Sequence, residues 1–203
     1  MSLTVAYEGD TDLPVIKKLA ADARLEISAP IDCQGKHYLD AQLPRWNDAA
    51  QRTPWFVLRD LDRDAACAGA FVRGAKVQPS PWMCFRIAVR AIESWLMADA
   101  EAFSEYFHVG IERLPVAPDG ELDPTQTLLN VVRSSRKPSI RNDVLPRPGR
   151  SSKVGQLYES RIIEFGEIHW DVKRATKRSP SLARARDRLR ELAARWHHAN
   201  PDG

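Results

Sequence analysis

Four consecutive apolar residues, Trp55-Phe56-Val57-Leu58, stopped by Arg59-Asp60, decide much of what this chain can become. A strand with one wet face alternates apolar and polar side chains, whereas a run apolar on both faces needs cover on both. Such a run reads as a buried strand of a parallel sheet with helices packed on either side. Leu3-Thr4-Val5-Ala6-Tyr7 is a second β-prone run and ends in Glu8-Gly9-Asp10, a turn signal. After it Leu13, Ile16, Leu19 and Ala20 recur at helix spacing, with Asp10, Thr11 and Asp12 as candidate caps and Pro14 in the first turn. Strands are further predicted over 26–31 and 82–89. Helices are predicted over 37–51, where Pro44 interrupts or kinks the pattern, and over 90–98, 101–107, 125–134 and 154–165. A last helix begins at Ser179-Pro180-Ser181, with Leu182, Ala185, Leu189, Leu192 and Trp196 on one face. Strands alternating with helices predict an α/β fold with a mostly parallel central sheet. Residues 115–124 read as a loop, and 138–153, with Pro138, Pro146, Pro148 and Gly149, as a mobile basic loop. The expected organisation is an α/β core over 1–115 and a helical, basic extension over 116–203 packed on it.

The composition agrees with a folded chain: 203 residues, 43% hydrophobic and 28% charged. No apolar run reaches the length of a membrane span, and Met1-Ser2-Leu3-Thr4-Val5 lacks the features of a secretory leader, so a cytoplasmic location is expected. Cys33, Cys67 and Cys84 form neither a disulfide framework nor a zinc pattern. The net charge of +3 is unevenly spread. Residues 133–153 carry seven Lys or Arg against Asp143 alone, and 173–190 carry eight against Asp187 alone, while acids gather in the first half. Acids beside basic surfaces suit metal-assisted phosphate chemistry; the plainer reading is that Arg-rich helices are simply solvated.

Two carboxylate motifs end predicted strands. Glu8 ends the first, and in open α/β sheets ligands bind at the carboxyl ends of strands. Asp60-Leu61-Asp62 ends another. Alternate residues of an extended segment point the same way, so Asp60 and Asp62 are expected to face one spot, with Asp64 continuing the acidic series. Carboxylates converging on one point repel unless protons or a cation neutralise them, and hard oxygen ligands favour Mg2+ or Mn2+.

The order of strand, Glu-Gly, helix and a later apolar strand ending in DxD resembles the TOPRIM fold of topoisomerases, bacterial primases and overcoming-lysogenisation-defect nucleases. Tyr7-Glu8-Gly9-Asp10-Thr11-Asp12 resembles its first motif, and Leu58-Arg59-Asp60-Leu61-Asp62-Arg63-Asp64 its second. Ala91-Ile92-Glu93-Ser94-Trp95-Leu96-Met97-Ala98-Asp99, and more loosely Arg178-Ser179-Pro180-Ser181-Leu182, resemble segments of small bacterial TOPRIM-like proteins. Some of these are RloB-like and associated with restriction and phage defence. The resemblance implies Mg2+ held by Glu8, Asp60, Asp62 and Asp64, and chemistry on DNA or RNA. The chain lacks a strand-passage tyrosine in a recognisable setting, a primase zinc motif and a Walker A loop, so topoisomerase and primase activities are not expected, and a required ATPase would be a separate subunit.

The expected function is therefore Mg2+-dependent phosphodiester hydrolysis of nucleic acid, with Glu8 and Glu93 as catalytic carboxylates. The alternative is a non-catalytic component that binds nucleic acid or a protein partner. Glu93 completes the metal site, acts as a base, or bonds nearby backbone. Asp12 is either a supporting acid or a helix cap, and Asp64 either a ligand or the cap of the next helix. Arg86 and Arg90 either pair with Glu93 or Asp99 or hold a phosphate. Lys137, Arg141 and Lys153 suit backbone phosphates.

Overall fold

The computed structural model describes residues 2–75, 78–149 and 151–201. Strand β1 (Ser2–Tyr7) is followed by helix α1 (Leu13–Asp22), β2 (Glu26–Asp32), α2 (Lys36–Ala49) and β3 (Trp55–Asp60). A short helix, α3 (Ala68–Gly74), leads to β4 (Met83–Ala88), and then α4 (Ile92–Ala98) and α5 (Ala100–Phe107). The remainder is helical: α6 (Pro124–Arg133), α7 (Pro138–Val144), α8 (Tyr158–Glu164), α9 (Val172–Ala175) and the long α10 (Pro180–Ala199).

The four strands form one parallel sheet in the order β2-β1-β3-β4. The alternation of side chains sorts the sheet into two packed faces. Leu3, Val5, Tyr7, Phe56 and Leu58 join the larger apolar core with α1, α4, α5 and the later helices. Ala6, Trp55 and Val57 join the smaller one with Leu39, Leu43 and Trp46 of α2, where Trp46 stacks on Trp55 at 5.8 Å between ring centroids. The central strand β3 is buried from Trp55 through Arg59, which is why its sequence shows no alternation. β2 is an edge strand, largely exposed, and tolerates Pro30 for that reason. Pro44 sits inside α2 without ending it.

Residues 138–153 are not one loop. Pro138 opens α7, whose Ile140 and Val144 are buried, because proline fits the first turn of a helix, where its missing N–H is not needed. Gly155 then lies so close to the end of α7 that a Cβ would fall 2.2 Å from the Asp143 carbonyl oxygen, and its N–H donates to the Val144 carbonyl at 2.8 Å. Polar contacts bind the later segments to α4 and to Asp99 just after it. Trp95 Nε1 donates to Ser181 Oγ (2.7 Å), and Trp170 Nε1 to the Trp95 carbonyl (2.9 Å). Asp99, its side chain fully buried, accepts both Nε and Nη2 of Arg174 at 2.8 Å. Among the described residues no helix is long and apolar enough to cross a membrane.

Candidate active site at the switch point of the sheet

From β1 the chain moves outward to β2, then returns past β1 to β3. The carboxyl ends of β1 and β3 therefore flank the point where the strand order reverses, which opens a crevice in sheets of this kind. Glu8 leaves β1 there and Asp60 ends β3. They meet: the Asp60 N–H donates to Glu8 Oε1 at 2.8 Å, across 52 residues of sequence.

Asp12 holds the turn between β1 and α1. It occupies the N-cap position of α1 yet makes no side-chain bond to that helix. Its carboxylate instead accepts the backbone N–H groups of Glu8 (3.0 Å) and Gly9 (3.3 Å), so the expected helix cap points backwards onto the strand end. Asp12 is buried. Burial pushes its carboxyl up to about 8, with the charges of Glu8 and Glu93 adding to the rise and the two N–H groups opposing it. Burial likewise raises Glu8 to about 7, against the lowering effects of the Asp60 N–H and Arg59. Asp60 is held well above the usual carboxylate range by burial and by Asp12, Glu93, Glu8 and Asp62. Its Oδ1 is buried and has no hydrogen-bond partner among the described residues.

Glu93, near the start of α4, joins this group from the other side. Its Oε1 accepts the Tyr158 hydroxyl at 2.8 Å and the Thr125 hydroxyl at 3.0 Å. Tyr158 and Thr125 belong to the basic second half, so that half contributes side chains to the acidic cluster. Neither was identifiable from sequence, since one tyrosine and one threonine among many carry no spacing signal.

The outer acids are placed differently. Asp62 has φ +48°, a left-handed conformation that aspartate tolerates, so the backbone is no longer extended where the alternation argument needs it to be. Its carboxylate receives Lys36 Nζ at 2.8 Å. Asp64 accepts the same lysine at 2.9 Å and Arg59 Nη2 at 2.6 Å, and it does not cap the next helix, whose N-cap is Cys67. Arg59 is almost wholly buried and lies among Asp64, Asp40 (3.0 Å) and Glu8 (3.9 Å), with its guanidinium over the Phe71 ring. A buried cation needs such company, and removing it would cost about 3–5 kcal/mol. Lys36 and Arg59 were not singled out by sequence reasoning. Arg59 was legible in principle, since the alternation that turns Asp60 one way turns its neighbour the other.

The predicted basic residues separate. Arg90 and Lys153 line a cleft of about 380 Å³ with Lys36, Asp62, Asp64 and Thr125. Arg90 donates to the backbone carbonyls of Asp62 (2.9 Å) and Ala65 (3.3 Å), so it pairs with neither Glu93 nor Asp99. Arg86 pairs with neither acid either, since Asp99 is taken by Arg174 and Glu93 by hydroxyls; it faces a different cavity. Lys137 is exposed and Arg141 donates to the Ser135 carbonyl, and neither lines the cleft.

Among the described residues no group of three or more His, Cys, Asp and Glu side chains is arranged to hold a metal ion. The chemistry of the donors fits a smaller set: Glu8 and Asp60, adjacent at two strand ends, with one buried carboxylate oxygen unpartnered. Mg2+ commonly binds through one or two carboxylates and keeps several waters. Asp62 and Asp64 are engaged by Lys36 and Arg59 in this arrangement. Comparison with models of protein families, with curated proteins and with solved structures finds no match to this chain.

Proposed function

We propose that the chain is a TOPRIM-like domain whose acidic cluster performs Mg2+-dependent phosphodiester hydrolysis of nucleic acid, as a nuclease or the nuclease subunit of a bacterial defence system. The observation that carries this reading is the contact between the carboxylate ending β1 and the backbone ending β3, beside an unpartnered buried oxygen of Asp60. Glu8 and Asp60 would hold the magnesium, which when bound polarises a phosphoryl oxygen and activates water. Asp12 fixes the backbone that carries Glu8. Glu93, bonded to Tyr158 and Thr125, adds negative charge beside Asp60 and anchors α6 and α8 to the cluster. Lys36, Arg90 and Lys153 border the cleft where the flanking phosphates of a polymer would lie.

The test is calorimetric titration with Mn2+, together with a cleavage screen on labelled single- and double-stranded DNA and RNA. The wild type and Glu8→Gln and Asp60→Asn are compared, with folding checked by circular dichroism. Wild type should bind metal and cut; both folded variants should lose binding and at least a hundredfold in rate. A folded Asp60→Asn that keeps the wild-type rate rules the reading out. Affinity for substrate that falls steeply with salt identifies a polymer substrate rather than a small phosphate ester.

One observation favours a second reading, a component that binds nucleic acid or protein without catalysis. Lys36 and Arg59 already neutralise Asp62 and Asp64, as in a structural ion network. Its signature is nucleic-acid or partner binding that persists in Asp60→Asn and needs no metal.

A further inference from the structure

A second cavity, of about 710 Å³, shares Arg90 with the acidic cleft and lies between α3, β4 and the start of α10. Its volume falls within the range of pockets that enclose small organic ligands. Val72, Met83, Phe85 and Ile87 give it apolar walls, and Arg86, Arg90 and Arg184 give it cationic corners. Among the described residues the one carboxylate on its lining, Asp119, is already engaged by the Ser179 hydroxyl (2.6 Å) and the Ser181 N–H (2.7 Å) at the start of α10.

Arg86 is the anomaly. Its Nε is buried without a hydrogen-bond partner among the described residues. Burial, with Arg184 and Arg188 nearby, pulls its guanidinium below the usual arginine value. An interior arginine normally finds a carboxylate or carbonyl, because an unpaired buried charge is costly. Here the strand delivers the guanidinium to an apolar chamber flanked by further arginines.

We propose that this cavity binds an organic anion, an apolar or aromatic body bearing a phosphate or carboxylate that Arg86 receives. The planar guanidinium matches either head group in a two-pronged arrangement, and the walls take the body. The assignment is independent of the acidic cluster. Arg90 alone lines both sites, and its bonds to the Asp62 and Ala65 carbonyls leave Arg86 as the principal receiver.

The probe is 8-anilinonaphthalene-1-sulfonate, an aromatic body with an anionic head, titrated into native protein by fluorescence. Competition by adenosine monophosphate or by decanoate then separates a nucleotide from a fatty carboxylate. Arg86→Met keeps the aliphatic stem and removes the unpartnered nitrogen, so it should fold at least as well as wild type. Val72→Trp fills the chamber from a surface helix. Wild type should bind one equivalent of dye, displaced by at least one of the two competitors, and each variant should weaken binding tenfold or more. No dye binding by wild type overturns the assignment. So does equal affinity in Arg86→Met, or dye that neither competitor displaces, since the dye then reports apolar surface only.

Discussion

Asp60 shows how a single side chain can trade stability for chemistry. Its carboxyl is buried and crowded by Asp12, Glu93 and Glu8, which hold it well above the usual carboxylate range, so the folded metal-free protein binds this proton more tightly than the unfolded chain does. Asp60→Asn removes the crowded carboxyl. It should raise the melting temperature near pH 7 by at least about 2–4 °C, the equivalent of about 1 kcal/mol in a chain of this size, while abolishing metal binding. Differential scanning calorimetry without metal reads the first effect, and a melting temperature that drops instead would mean Asp60 is held by contacts more favourable than its crowding. Glu8 and Asp12 extend the argument to pH. Their folded values, about 7 and about 8, lie above the ordinary carboxylate range, so the native state holds protons that the unfolded state loses. Their contribution to stability is full below about pH 4 and is lost as pH rises through 7 to 8. Melting curves of metal-free protein should show this decline, Mn2+ should shrink it, and Mn2+ affinity should climb over the same interval.

At the scale of elements, α10 depends on its first turn. Ser179 Oγ accepts the Leu182 N–H at 3.2 Å and donates to Asp119, joining the helix start to the turn at Pro118–Gly120. Ser179→Ala should cost about 1–2 kcal/mol, lowering the urea midpoint without changing the slope of the transition. This cap was readable as Ser179-Pro180-Ser181, and so were the four strands and their order of appearance, because each is written in contiguous residues. What was not readable has two causes. The helix at Pro138–Val144 is short, with only Ile140 and Val144 buried, so proline and charge obscured it. The partners of Glu93 lie 32 and 65 residues away, and the lysine that holds Asp62 and Asp64 lies before both, on α2. Glu8 and Asp60 were found because sheet topology converts strand ends into neighbours. Tyr158, Thr125 and Lys36 reach the site through helix packing, which no local pattern encodes.

Across the whole molecule one apolar core contains residues of β1, β3, β4 and α10, so the last helix and the first strand belong to the same core. Asp22 of α1 receives Arg186 of α10 at 2.7 and 2.9 Å, a pairing across 164 residues, and Lys17 reaches Glu167 at 3.1 Å. The second pair is exposed and contributes little; the burial of Leu182, Ala185, Leu189 and Leu192 supplies most of the adhesion.

The position of β3 has a consequence in time as well as in space. It is hydrogen-bonded to β1 through Trp55, Phe56 and Val57 on one side and to β4 along its full length on the other, and both of its faces are packed. Its amide hydrogens at 56–58 should be the slowest in the protein to exchange with deuterated water, opening only with global unfolding, while those of the edge strand β2 exchange orders of magnitude sooner. Asp60 thus stands at the end of the segment that fluctuates least, and the spacing between its carboxylate and Glu8 should persist for as long as the molecule stays folded.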